Sequence, residues 1–111
     1  FKNKKFPYAR IVRSNNESIV KIVEEIDASG KELQINELFG SHYLFKSKVL
    51  SDYLIRLKKN PKTGEIYFTD ILNELILDKK NIGSLIVEDW KMLVGLNSKE
   101  DIEWAELQNM I

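Results

Sequence analysis

Gly64-Glu65-Ile66-Tyr67-Phe68-Thr69-Asp70-Ile71 is the stretch on which the reading of this chain turns. It follows Asn60-Pro61-Lys62-Thr63, a break in which proline lacks an amide donor and biases its predecessor away from helix. It leads into Ile71, Leu72, Leu75 and Ile76, which fall on one face of a helix that Thr69 is placed to cap. Upstream, Val49, Leu50, Tyr53, Leu54 and Leu57 make the apolar stripe of another amphipathic helix within Lys46–Lys58. Further upstream the period changes. Tyr8–Arg13 and Ser18–Glu24 are rich in Ile and Val, and Ser14-Asn15-Asn16-Glu17 between them reads as a hairpin loop.

Asp27–Glu32 is a polar break, and Glu37–Phe45 reads as extended chain interrupted by Gly40. Downstream, Ile82–Val87 reads as a short buried strand and Trp90–Leu96 as another. Ser98–Met110 reads as a last helix with Glu100, Asp101 and Glu103 in its first turns, where the helix dipole favours acids. Strands alternating with helices predict an α/β layer arrangement.

At 111 residues the chain is expected to form a single domain, 1–111, with one modest core. The 17 basic and 17 acidic residues balance, which gives no general attraction to nucleic acid or to an anionic membrane. Lys2, Lys4 and Lys5 read as a solvated basic terminus. There are no cysteines, so disulfides and thiolate metal sites are excluded, as suits a cytoplasmic protein. No apolar run approaches the roughly 20 residues of a membrane span, and no signal-peptide pattern is present. The chain opens on Phe1 rather than Met, as a trimmed sequence would.

Four motifs in order, the first of them spanning both strands of the first hairpin, resemble the second half of the uridylyltransferase (pyrophosphorylase) domain of a bifunctional family. Its members are N-acetylglucosamine-1-phosphate uridylyltransferases and glucosamine-1-phosphate acetyltransferases. The family's Tyr-Gly-Arg-Ile stands here as Tyr8-Ala9-Arg10-Ile11, and its Ile-Val-Glu with Asp-Ala as Ile22-Val23-Glu24 with Asp27-Ala28. Its Glu-Ile-Asn-Thr-Gly is matched by Glu37-Leu38-Phe39-Gly40-Ser41. Its Gly-Glu-Tyr-Tyr-x-Thr-Asp-Ile and Gly-Val-Asn are matched by Gly64–Ile71 and Gly95-Leu96-Asn97. The family's glycine-rich nucleotide loop has no counterpart, and neither do the hexapeptide repeats of its acetyltransferase half. The resemblance therefore implies part of a Rossmann-like nucleotidyltransferase fold, a mixed sheet with flanking helices that lacks the N-terminal nucleotide-binding half.

That resemblance carries expectations for single residues. Glu24 corresponds to a glutamate that accepts hydrogen bonds from the sugar, a task suited to a carboxylate; its alternative is a solvated acid at a strand end. Asn97 corresponds to an asparagine that binds magnesium beside an aspartate of the other half, so magnesium is expected only with that half. Asn97 also fits an N-cap with Glu100 at the third helical position. Two positions depart from the pattern. Ala9 adds a methyl where the family's glycine approaches the sugar. Phe39 takes the place of a sugar-binding asparagine, and an unpaired sugar hydroxyl there costs about 1–3 kcal/mol; a slip of one position puts Gly40 there instead.

His42, the only histidine, reads as satisfied by local hydrogen bonds, and Trp90 and Trp104 as packing residues. The expected ligand is a sugar nucleotide or sugar 1-phosphate. The chain is expected to be catalytically inactive alone, and self-association is expected through an exposed sheet edge. Two alternatives stand beside this: a non-catalytic module descended from the fold, and half of a hexose-1-phosphate thymidylyl- or adenylyltransferase. Under the resemblance Glu24, Phe39 and Asn97 converge on one concave face; otherwise nothing brings them together.

Overall fold

The computed structural model describes Lys2 and residues 6–111; Lys4 and Lys5 of the basic cluster lie outside the described residues. The hairpin forms as read, from β1 (Arg10–Arg13) and β2 (Ile19–Val23), antiparallel with Ile11 opposite Ile22 and Arg10 opposite Val23. A bulge falls between Val12 and Arg13. The left-handed residue of its loop is Glu17 rather than an asparagine. Asn16 serves through its side chain, whose Oδ1 accepts from the Ser14 hydroxyl and the Ser18 amide.

Residues 37–39 lie along the outer edge of β1. The Ile11 amide donates to the Glu37 carbonyl (3.0 Å) and the Phe39 amide to the Ala9 carbonyl (2.9 Å). The extended stretch stops there, because Ser41 takes a left-handed φ of 56°. Gly40 meets Leu93 so closely that a Cβ would lie 3.1 Å from Leu93 Cδ1.

Three helices follow: α1 (Ser47–Leu54), α2 (Asp70–Leu77) and α3 (Lys99–Leu107). The core joins the hairpin to α1 and α2 through Ala9, Ile22, Tyr53, Ile71, Leu72 and Leu75. Val49, Leu50 and Leu57 pack against it as their spacing predicts, whereas Leu54 sits at the exposed border of that stripe. Between α1 and α2, Asn60 Oδ1 accepts from the Lys62 and Thr63 amides, and Gly64 takes the positive φ of 73° that ends the turn.

Three readings are corrected. Ile82–Val87 is neither buried nor a strand: Leu85 is 87% exposed, and no neighbouring strand among the described residues takes its backbone hydrogen bonds. Trp90–Leu96 begins as a 3₁₀ turn, Trp90–Leu93, because Asp89 Oδ1 accepts from the Lys91 amide and its carbonyl from the Met92 amide. Trp90 and Trp104 then pack with Phe6, ring centroids 5.5–6.0 Å apart. Finally, the pairing seen among the described residues is antiparallel rather than mixed.

Both edges of the hairpin are occupied at their centres. Residues 37–39 cover β1, and the side chain of Asn73 grips β2. Its Oδ1 accepts from the Ile22 amide (2.9 Å) and its Nδ2 donates to the Ile22 carbonyl (2.8 Å). An asparagine on α2 thus occupies the place of a neighbouring strand at Ile22.

A polar cluster ties α1 to the end of α2. The Tyr53 hydroxyl donates to Asp78 Oδ2 (2.5 Å), as does Arg56 (2.6 Å). The Tyr53 hydrogen bond, then that of Arg56, holds the Asp78 carboxyl below its ordinary value; the same bond to Asp78 pushes the Tyr53 phenol up.

Two outcomes follow. Asn73→Ala strands two partly buried backbone groups and should lower the unfolding free energy by about 1–3 kcal/mol in urea titration; an unchanged midpoint contradicts the grip. The Asp78 contribution is present above its ordinary 3.8 and fades as pH falls through the lower folded value, while that of Tyr53 is present below 10.0 and fades as pH rises. Asp78→Asn should therefore flatten the acid limb of the stability profile, and a profile identical to the parent's would exclude the cluster as its source.

Candidate functional site

The four motifs meet at one open cleft of about 550 Å³. Pro7–Ala9, leading into β1, and Glu24, just past β2, supply one part of its lining. Phe39–His42 and Thr69 continue it, and Met92–Gly95 with Asn97 complete it. Glu24, Ala9, Phe39 and Asn97, the four residues singled out in the sequence, all line this cleft.

Glu24 is half-buried, and its Oε1 accepts from the Thr69 hydroxyl at 2.6 Å. This bond joins the Ile-Val-Glu motif to the Thr-Asp-Ile motif across 45 residues. It also explains why Thr69 does not cap α2 as the sequence predicts: Thr69 has helical angles (φ −56°, ψ −25°) and no side-chain cap bond. Asp70 does not line the cleft; burial pushes its carboxyl up.

Phe39 is half-buried and packs against the core while lining the cleft, edge-on to Tyr43 at 5.1 Å. Burial, with the Glu24 charge nearby, pushes the Tyr43 phenol up to about 12. Ala9 is 5% exposed and belongs to the core cluster as well as to the lining, so most of the added methyl is absorbed in packing.

Asn97 is exposed and is not the helix cap. Ser98 is: its Oγ accepts from the Asp101 amide (3.1 Å), and Asp101 Oδ2 accepts in return from Ser98 (3.0 Å) and Asn97 (2.9 Å) amides. The capping box therefore runs one residue later than predicted, which leaves the Asn97 side chain outside it. The amide hydrogen bonds, that of Asn97 first, hold the Asp101 carboxyl below its ordinary value. The loop bearing Asn97 is fastened from across the cleft, where the Gly95 amide donates to Tyr8 Oη at 3.0 Å.

His42 lines the cleft with Nδ1 2.6 Å from the Gly40 carbonyl, in keeping with the local satisfaction read from the sequence. Tyr8 and Thr69 are the residues whose parts the sequence reading missed. Both sat inside quoted motifs, but Tyr8 carried no separate signal, and Thr69 before an apolar helix reads as a cap. A second open cleft of about 480 Å³, lined by Pro7, Glu24, Glu25, Ile26 and Tyr67, shares Pro7 and Glu24 with the first, so Glu24 stands on the ridge between them.

Magnesium asks for several oxygen ligands in a near-octahedral shell. No group of three His, Asp or Glu side chains able to hold a metal occurs among the described residues. Asp101, the acid four residues beyond Asn97, is engaged by the two amides. These residues alone do not fit the ion, and Asn97 could supply one ligand at most.

No protein-family model matches the chain. Curated relatives do. The chain is 39% identical to the bifunctional protein GlmU of Clostridium botulinum over 99 residues, 89% of this chain and 21% of that protein. It is 38% identical to GlmU of Acetivibrio thermocellus over 104 residues, covering 94% of this chain and 22% of the relative. GlmU of Streptococcus uberis matches at 32% over 101 residues, again 22% of its length. The chain spans about a fifth of the length of the relatives it matches.

Tyr8→Phe removes the acceptor for the Gly95 amide. Exchange of that amide with deuterium should then quicken by roughly twofold to tenfold, the span of one ordinary hydrogen bond. Unaltered protection at Gly95 in the variant would exclude the Tyr8 latch.

Proposed function

Since the chain belongs to the GlmU family over a segment about a fifth of its members' length, we propose that it carries the sugar side of a sugar-phosphate nucleotidyltransferase site. Its ligand on this reading is N-acetylglucosamine 1-phosphate or the corresponding sugar nucleotide. The observation that carries the reading is the gathering of Glu24, Phe39 and Asn97, from three separate motifs, around one cleft.

The chemistry divides as follows. Glu24 accepts hydroxyl donors from the sugar with charge-assisted strength. Asn97 lies in the same lining, where its amide oxygen can join a magnesium shell whose carboxylate comes from elsewhere. A magnesium ion held by Asn97 together with a carboxylate from elsewhere would neutralise charge on the transferred phosphoryl group. This chain's residues bind and orient the sugar end, so that reacting atoms meet in line. Backbone amides to hold a nucleoside triphosphate are not assigned to any of them, so the chain alone is proposed to be inactive.

Phe39 favours a second reading, a non-catalytic module that kept the fold. Phenylalanine in the lining brings no donor or acceptor to a sugar and stands where the family pattern has asparagine.

One experiment separates the two. This chain replaces the matching segment in the C. botulinum GlmU protein, and pyrophosphate release is measured with UTP, magnesium and N-acetylglucosamine 1-phosphate. On the first reading the chimera is active, and Glu24→Ala and Asn97→Ala each lower kcat/KM by about tenfold or more. Phe39→Asn should raise it, and the isolated chain should release none. A folded chimera indifferent to Glu24 and Asn97, or one that stays inactive with Phe39→Asn, favours the second reading.

A further inference from the structure

The hydroxyl of Thr69 is oddly placed. Threonine immediately before a helix ordinarily turns its oxygen back to a free amide of the first turn, which stabilises the helix by about 1 kcal/mol. Thr69 forgoes this. It is 7% exposed, and its hydroxyl donates instead to Glu24 Oε1 at 2.6 Å. Buried there, it has little competition from water for that carboxylate. One turn along, Asn73 clamps the backbone of Ile22, two residues before Glu24. The first turn of α2 thus grips the end of β2 twice, once by backbone and once by the carboxylate.

Glu24 lines both clefts, and its Oε1 is the oxygen that Thr69 engages. A carboxylate has about four acceptor positions, so a single donor on Oε1 leaves Oε2 able to accept from a ligand. Without that donor, a glutamate side chain at a cleft rim turns freely about its own bonds and must be ordered on binding.

We infer that Thr69 is a positioning residue: its buried hydroxyl holds the Glu24 carboxylate in the orientation in which Oε2 accepts a hydroxyl of a sugar ligand. The ligand part of this rests on the function proposed above, whereas the placement of Glu24 does not.

The test has two arms on the 111-residue chain. In the first, three-bond couplings report the χ1 rotamer of Glu24 without ligand. A single rotamer is expected in the parent and in Thr69→Ser, which keeps the hydroxyl, and averaged couplings in Thr69→Val, which matches the shape and lacks it. A single unchanged rotamer in Thr69→Val overturns the placement.

In the second arm the chain and its Phe39→Asn form are titrated with UDP-N-acetylglucosamine. Thr69→Val should weaken binding by about tenfold and Thr69→Ser by less than about threefold. In a Glu24→Ala background Thr69→Val should change nothing further, since a residue acting through Glu24 has nothing left to position. A full additional loss in that background, or equal binding by Thr69→Val and parent, overturns the positioning role. Absence of binding in every form overturns the sugar-side reading and the ligand role with it, leaving the first arm to decide the placement.

Discussion

The first turn of α2 holding the last residues of β2 is the contact on which the rest of this structure depends. A two-stranded hairpin in water is marginal by itself. Here its apolar face is completed by Ile71, Leu72 and Leu75 of α2, while Asn73 satisfies both backbone groups of Ile22 on the free edge. Burial of the apolar residues supplies the drive; the asparagine removes the penalty of leaving those backbone groups without partners. The two effects need the same helix in the same register, so packing and polar satisfaction reinforce one another.

The same contact shapes the cleft. Because α2 is locked to β2, Thr69 falls beside Glu24, and the carboxylate emerges at the boundary between two open depressions. Across from it the Met92–Asn97 segment has little regular structure of its own. It is held by the Tyr8–Gly95 bond and by the close approach of Leu93 to Gly40. Rigid elements thus support one part of the lining and a fastened loop the other, an arrangement common where binding residues are displayed.

The chain's departures from the family pattern acquire physical meaning in this setting. Ala9 is largely absorbed into the core, whereas Phe39 packs against the core and still lines the cleft. Of the two, Phe39 alone changes the character of the lining, from a group that donates and accepts to one that offers only apolar surface. Leu85 and Ile86, by contrast, lie on exposed irregular chain although their side chains suit a buried strand. Arg13 reaches Ser84 from β1 and ties that segment down without giving it a sheet partner.

What the sequence determined by itself was local. The hairpin, the break at Asn60–Gly64 and helices α1 and α2 follow from side-chain periodicity and turn chemistry, which act over a few residues and leave their mark in the sequence. The order of the four motifs was legible in the same way and carried the family. Tertiary structure decided whatever depends on a partner remote in sequence. Ile82–Val87 has strand composition, but a strand exists only beside another, and none of the described residues provides it. Thr69 has the chemistry of a cap, but the Glu24 carboxylate competes for its hydroxyl. Asn97 and Ser98 are both good caps with an acid three residues on, so local chemistry allows either, and the folded chain closes the box at Ser98 and Asp101. At Thr69 the local preference was real, and a contact that exists only in the folded chain overrode it.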